Sequence, residues 1–106
     1  RMEEALRHPR FVERVFSEAE QACLSTKGAV APQTAAGLFA AKEAFLKALG
    51  TGIDHLALRE IEILHDGHGA PAYRLGGPYA ELNGTALLSI THEAGVAAAF
   101  CVLQQE

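Results

Sequence analysis

Apolar positions recur at helical steps through the first half of the chain and at alternating steps through the second. The clearest helical stripe is Leu38, Ala41, Phe45, Ala48 and Leu49. Its three- and four-residue steps predict a helix over 34–49 with one buried face. Gly50 and Gly52 follow and predict its end, because glycine enters the left-handed conformation past a helix terminus without steric cost. Upstream, residues 2–8 predict a short helical turn closing at His8-Pro9, since the residue before a proline is pushed out of the helical region. Phe11, Val15 and Phe16 give a short apolar face. Ser17 and Glu20 have capping-box spacing, which predicts a helix from there towards Leu24. Residues 25–33 read as a loop.

From Leu58 the period changes. Ile61 and Ile63 alternate with Glu60 and Glu62, the pattern of a half-buried strand. Asp66-Gly67-His68-Gly69 predicts a turn, and Pro71 to Leu75 a returning strand. Pro78 to Leu82 predicts a short helix closed by Asn83-Gly84. Thr85–Thr91 and Val96–Leu103 predict two more strands, joined through Glu93-Ala94-Gly95. Helices first and mostly antiparallel strands after them make the class α+β, helices packed on a small sheet.

The 106 residues suffice for one hydrophobic core and not two. With 49% hydrophobic residues the chain can offset the entropy of ordering, so disorder is disfavoured. So small a core would gain from an oligomer interface. A net charge of −4 argues against a general nucleic-acid binder. Even so, Arg1, Arg7, Arg10 and Arg14 crowd into the first fourteen residues. This basic strip suits an acidic macromolecular partner, or is simply a solvated helix face beside Glu3, Glu4 and Glu13. Cys23 and Cys101 lack CxxC spacing, and Cys101 reads as a small buried hydrophobe; a reducing cytoplasm is the default. No apolar run reaches membrane-spanning length and no signal peptide is recognisable. The chain starts at Arg1 rather than Met, so the natural protein is expected to begin upstream.

Glu43 and Lys47, one helical turn apart, are the first candidates for chemistry. Taken by themselves they make an ordinary surface ion pair, worth about 0.3–0.5 kcal/mol. Their setting suggests more. Phe39, Ala40, Ala41 and Ala44 surround them with small apolar groups, and Gly50-Thr51-Gly52 lets a ligand approach the backbone. A carboxylate, an ammonium and accessible amides suit a Mg²⁺-bound diphosphate. His92 closes the strand Leu87–Thr91, where Ser89, Thr91 and His92 offer donors to a phosphate; a locally bonded surface histidine is the alternative. His65 and His68 have the spacing of a zinc pair, but they flank a turn and have no cysteine partner nearby.

The segments carry a resemblance over nearly the whole chain. Phe39-Ala40-Ala41-Lys42-Glu43-Ala44-Phe45-Leu46-Lys47-Ala48-Leu49-Gly50-Thr51-Gly52 resembles the signature helix of the acyl-carrier-protein synthase type of phosphopantetheinyl transferase. Leu88-Ser89-Ile90-Thr91-His92 with Ala97-Ala98-Ala99 is similar to that family's closing hairpin. Glu60-Ile61-Glu62-Ile63 and Gly69-Ala70-Pro71 resemble its middle strands, and Phe11 to Glu20 its first long helical region.

The resemblance implies one transferase domain over 1–106 that moves phosphopantetheine from coenzyme A to a serine of acyl carrier protein. By motif position, Glu43 would bind Mg²⁺ and act in catalysis with Lys47, which would contact the coenzyme A phosphates. Gly50, Thr51 and Gly52 would line the pantetheine or diphosphate path. Pro71, Thr91 and His92 would hold coenzyme A, His92 at its adenosine-phosphate end. Arg7 and Arg10 would dock the carrier protein, and the family's homotrimer would place the cleft between subunits. Two departures accompany the match. The family's opening Gly-Ile-Asp strand, with its metal-binding aspartate, is missing, so this chain is expected to bind metal weakly or to need that piece supplied. Leu38 stands where many relatives have an arginine that contacts a coenzyme A phosphate. Both leave open a homologue that binds coenzyme A or carrier protein without transfer, and an acyl-coenzyme A transferase is a further rival.

Overall fold

The apolar stripe of the longest helix organises everything around it. The computed structural model describes residues 1–50 and 55–105. Among these, four α-helices, α1 (Met2–Ala5), α2 (Pro9–Val15), α3 (Glu18–Ser25) and α4 (Ala31–Leu49), precede four strands. The strands are β1 (Ile61–His65), β2 (Pro71–Leu75), β3 (Gly84–Glu93) and β4 (Val96–Gln105). They pair as two antiparallel hairpins, β1 with β2 and β3 with β4. This is the mixed helix-and-sheet class, with two small two-stranded sheets. Thr51 and Gly52 lie outside the described residues.

Helix α4 buries Ala35, Leu38, Ala41, Phe45 and Leu46 in the core together with Phe16, Leu58, Ile61 and Ile63. Phe45, fully buried, meets Tyr73 at 5.3 Å and Tyr79 at 5.5 Å between ring centroids. The Tyr73 hydroxyl donates to the Ala41 carbonyl of α4 at 2.6 Å, and burial raises the phenol's pKa. Half-buried Cys101 lies beside it, and burial also raises that thiol's pKa.

Local signals settle the helix ends. Ser17 and Glu20 form a complete capping box, each side chain accepting the other's backbone N–H. Gly50 ends α4 in the left-handed region, φ 78°. At its other end α4 starts at Ala31, three residues before the expected Thr34. The reason is Pro32, whose missing N–H has no helical partner to lose in a first turn. What read as a loop over 25–33 is therefore mostly the end of α3, a 3-10 turn at Gly28–Val30 and the start of α4. The expected helix over Pro78–Leu82 is a single 3-10 turn, Gly77–Tyr79. Ala94 and Gly95, both at positive φ, make the tight turn between β3 and β4.

Three charged side chains are buried where the pattern predicts none. Glu62 is buried, although alternation would turn it outward. The Ser17 hydroxyl donates to its Oε2 at 2.5 Å, and Arg74 Nε reaches Oε1 at 3.1 Å. Lys42 is 0% exposed and Glu20 3%. Lys42 Nζ donates to Glu20 Oε1 at 2.8 Å and to the carbonyls of Leu58 at 3.1 Å and Ile61 at 2.6 Å. Desolvation lowers the Lys42 pKa, and the Glu20 carboxylate opposes that shift.

Candidate functional site

Small residues open the cleft that matters. Ala40, Ala44 and Ala48 line one face of α4, opposite Ala97, Ala98 and Ala99 of β4, so little side-chain bulk stands between helix and strand. They bound a cleft of about 540 Å³ whose only charged lining groups, among the described residues, are Glu43 and Lys47. Glu43 is half-buried there and Lys47 exposed. The structure thus brings this pair together on one wall of one cleft, one turn apart. Gly50, past Lys47, ends α4 in the left-handed region, φ 78°.

That cleft offers one hard carboxylate oxygen donor. Among the described residues no group of three or more His, Cys, Asp or Glu side chains gathers as a metal site. The donor set therefore fits an ion that takes a single protein carboxylate and fills its remaining positions with water and phosphate oxygens, the usual habit of Mg²⁺.

His92 belongs to a separate cleft of about 220 Å³, together with Pro71, Leu38 and His65. Its Nε2 lies 3.1 Å from the Gln33 carbonyl. A carbonyl can only accept, so Nε2 carries the proton and donates. The ring lies against Gly37: a Cβ there would stand 2.7 Å from His92 Nε2 and 3.0 Å from Cε1. Gly37 was not singled out from the sequence. Its signal was its cost, since glycine inside a helix loses about 0.5–1 kcal/mol against alanine and so calls for a reason. Leu38, the departure from the family pattern, is buried in the wall of this same cleft.

Other candidates fall elsewhere. Thr91 precedes His92 on β3, so its side chain leaves the opposite face of the hairpin, shared with Leu87. His65 lines the His92 cleft, whereas His68 is exposed in the turn that Asp66 organises by accepting the His68 and Ala70 backbone N–H groups. Those two bonds also hold the Asp66 carboxyl below the usual range. Arg7 and Arg10 are exposed, with Arg10 and Arg14 on the solvent side of α2 while Val15 is buried beneath.

Comparison with known proteins places this geometry among relatives. A family model described as the 4'-phosphopantetheinyl transferase superfamily matches residues 2–101. A holo-[acyl-carrier-protein] synthase of Oceanobacillus iheyensis is 40% identical over 100 residues, spanning 92% of this chain and 81% of that one. The crystal structure of holo-[acyl-carrier-protein] synthase from Neisseria meningitidis superposes with a TM-score of 0.84 at 29% identity, over 98% of this chain and 91% of that one. The Helicobacter pylori holo-[acyl-carrier-protein] synthase in complex with coenzyme A gives 0.74 at 33% identity, over 90% and 82%.

Proposed function

The chain belongs to the 4'-phosphopantetheinyl transferase superfamily, and from that premise we propose how its clefts perform holo-acyl-carrier-protein synthesis. The reaction moves 4'-phosphopantetheine from coenzyme A to a serine of apo acyl carrier protein and releases 3',5'-ADP. The observation that carries this reading is the Glu43–Lys47 pair facing Ala97–Cys101 in one cleft, within a sequence match over 2–101.

The serine oxygen attacks the β-phosphorus, a new P–O bond forms, and the bond to the bridging oxygen of the diphosphate breaks. Its electron pair leaves on 3',5'-ADP, and the serine proton departs toward the carboxylate side of the cleft. Lys47 sets a cation beside the diphosphate and stabilises the charge that gathers on the leaving phosphate. Gly50, at the end of α4, leaves the backbone open to the diphosphate and pantetheine arm. Glu43 would hold Mg²⁺, which when bound neutralises diphosphate charge. Pro71 and His92 hold the adenosine-phosphate end in their own cleft. Gly37→Ala is expected to raise the KM for coenzyme A about tenfold with kcat nearly unchanged, because the displaced imidazole loses roughly one hydrogen bond's worth of binding. Steady-state kinetics with varied coenzyme A checks it.

Arg7 and Arg10, exposed on an otherwise acidic protein, dock the acidic carrier protein. Leu87, Phe100 and Val102 form an exposed apolar stripe across β3–β4, with Phe100 70% exposed. A homotrimer covers this stripe and brings Thr91 to a neighbouring subunit. Phe100→Lys is expected to shift the protein to monomer in analytical ultracentrifugation; an unchanged trimer would refute this interface. Free Cys23 and Cys101 suit a reducing cytoplasm. No described helix is long and apolar enough to cross a membrane.

Leu38 in the His92 cleft favours one second reading, a homologue that binds without transferring. Intact-mass spectrometry of apo carrier protein after incubation with coenzyme A and Mg²⁺ decides. A gain of one phosphopantetheine is expected. Unmodified carrier protein in the presence of demonstrated binding would favour the second reading.

A further inference from the structure

Helix α4 presents two neighbouring charges to opposite worlds. Glu43 faces the cleft, and Lys42 is sealed in the core. All three Lys42 protons are used: on Glu20 Oε1 and on the carbonyls of Leu58 and Ile61. Glu20 is equally committed, its Oε1 also accepting the Ser17 N–H at 2.9 Å and its Oε2 the Ile63 N–H at 2.8 Å. One ammonium thus ties α4 to α3, to the 3-10 turn His55–Glu60 and to β1.

Stability alone does not explain such a knot. A buried ion pair replaced by apolar side chains of similar volume is often neutral or better, by about 1–4 kcal/mol. What apolar packing does not supply is a fixed rotation and height for the helix, since apolar contacts are non-directional. Three directed bonds from residue 42 fix both, and the next residue on the helix is Glu43. A displacement of about 1 Å at a reacting centre can cost about a hundredfold in rate.

We propose that the buried Lys42–Glu20 pair is a positioning device for Glu43, locking α4 so that the Glu43 carboxylate meets the reacting diphosphate in register. This rests on the role given to Glu43 above. The test is a cycle between the neutral pair Glu20→Gln/Lys42→Met and Glu43→Gln, each read by single-turnover transfer to carrier protein. With Glu43 present, the neutral pair is expected to lower kcat about a hundredfold and to change the KM for coenzyme A less than about threefold. In the Glu43→Gln background the same pair is expected to cost less than about threefold more, because the group it positions is already disabled. An equal loss in both backgrounds would overturn the proposal, as would full activity of the neutral pair. If the neutral pair shows no cooperative thermal transition, Glu20→Asp, which keeps both charges and shortens the reach, carries the same cycle with the same criteria. Near-normal transfer by Glu43→Gln alone would instead strike down the reading of Glu43, so the two failures are distinct.

Discussion

Glu43→Gln is expected to lower the turnover number by about a thousandfold, roughly 4 kcal/mol of lost transition-state stabilisation. Glutamine keeps the shape and the hydrogen-bonding capacity of the side chain and removes its charge. That charge shares the cleft with Lys47 and with no other charged group among the described lining residues. A neutral amide is a poor ligand for the Mg²⁺ that would bring the diphosphate into register, and it cannot take up a proton. The fold should tolerate the change. Glu43 is half-buried at the cleft wall and absent from the core, so the stability loss is expected to stay below about 1 kcal/mol. Single-turnover transfer followed by mass spectrometry, alongside a thermal melt, separates the two effects. A rate within tenfold of the unsubstituted protein would remove Glu43 from the chemistry.

Lys42→Ala is expected to do the reverse, removing about 3–5 kcal/mol of stability. That is a large share of the roughly 5–15 kcal/mol that holds a small domain folded. The cause is what remains behind. Glu20 stays buried without its cation, and the Leu58 and Ile61 carbonyls lose the donor they share. A truncated side chain also leaves a cavity beneath the Phe16 ring, whose centroid lies 5.9 Å from Lys42 Nζ. Urea denaturation measures the loss. A change under about 1 kcal/mol would mean that water or a rearranged Glu20 replaces the ammonium, and the knot would no longer explain how α4 is held.

The sequence made the helices and hairpins legible wherever the cause is local. The Ser17–Glu20 box and the Asp66–Gly69 turn depend on residues within a few positions of one another and are found where expected, and the α4 stripe holds except at Ala48, which is exposed at the cleft. The misses depend on partners far along the chain. The burial of Lys42 could not be read locally, because its three acceptors lie at Glu20, Leu58 and Ile61. Glu62 looked solvent-facing because nothing near it announces Ser17 as its donor. Gly37 drew no notice because its reason is an imidazole 55 positions later, whose ring occupies the space a Cβ would need.

The site was legible in part, for a similar reason. Spacing put Glu43 and Lys47 on one face, but spacing cannot separate a cleft from a solvated surface. It took the Ala97–Ala99 strand lying opposite to supply the second wall. By strand position alone, Ser89, Thr91 and His92 all offer donors to a phosphate. Consecutive strand residues face opposite ways, so only His92 turns toward α4. Leu38, the departure from the family pattern, lines the His92 cleft.

A crystal structure of the protein with coenzyme A and Mg²⁺ reaches the centre of the matter. The diphosphate should lie between the Glu43 carboxylate and the Lys47 ammonium, with the adenosine end against Pro71 and His92. A diphosphate seated away from α4, with Glu43 and Lys47 both facing solvent, would contradict it.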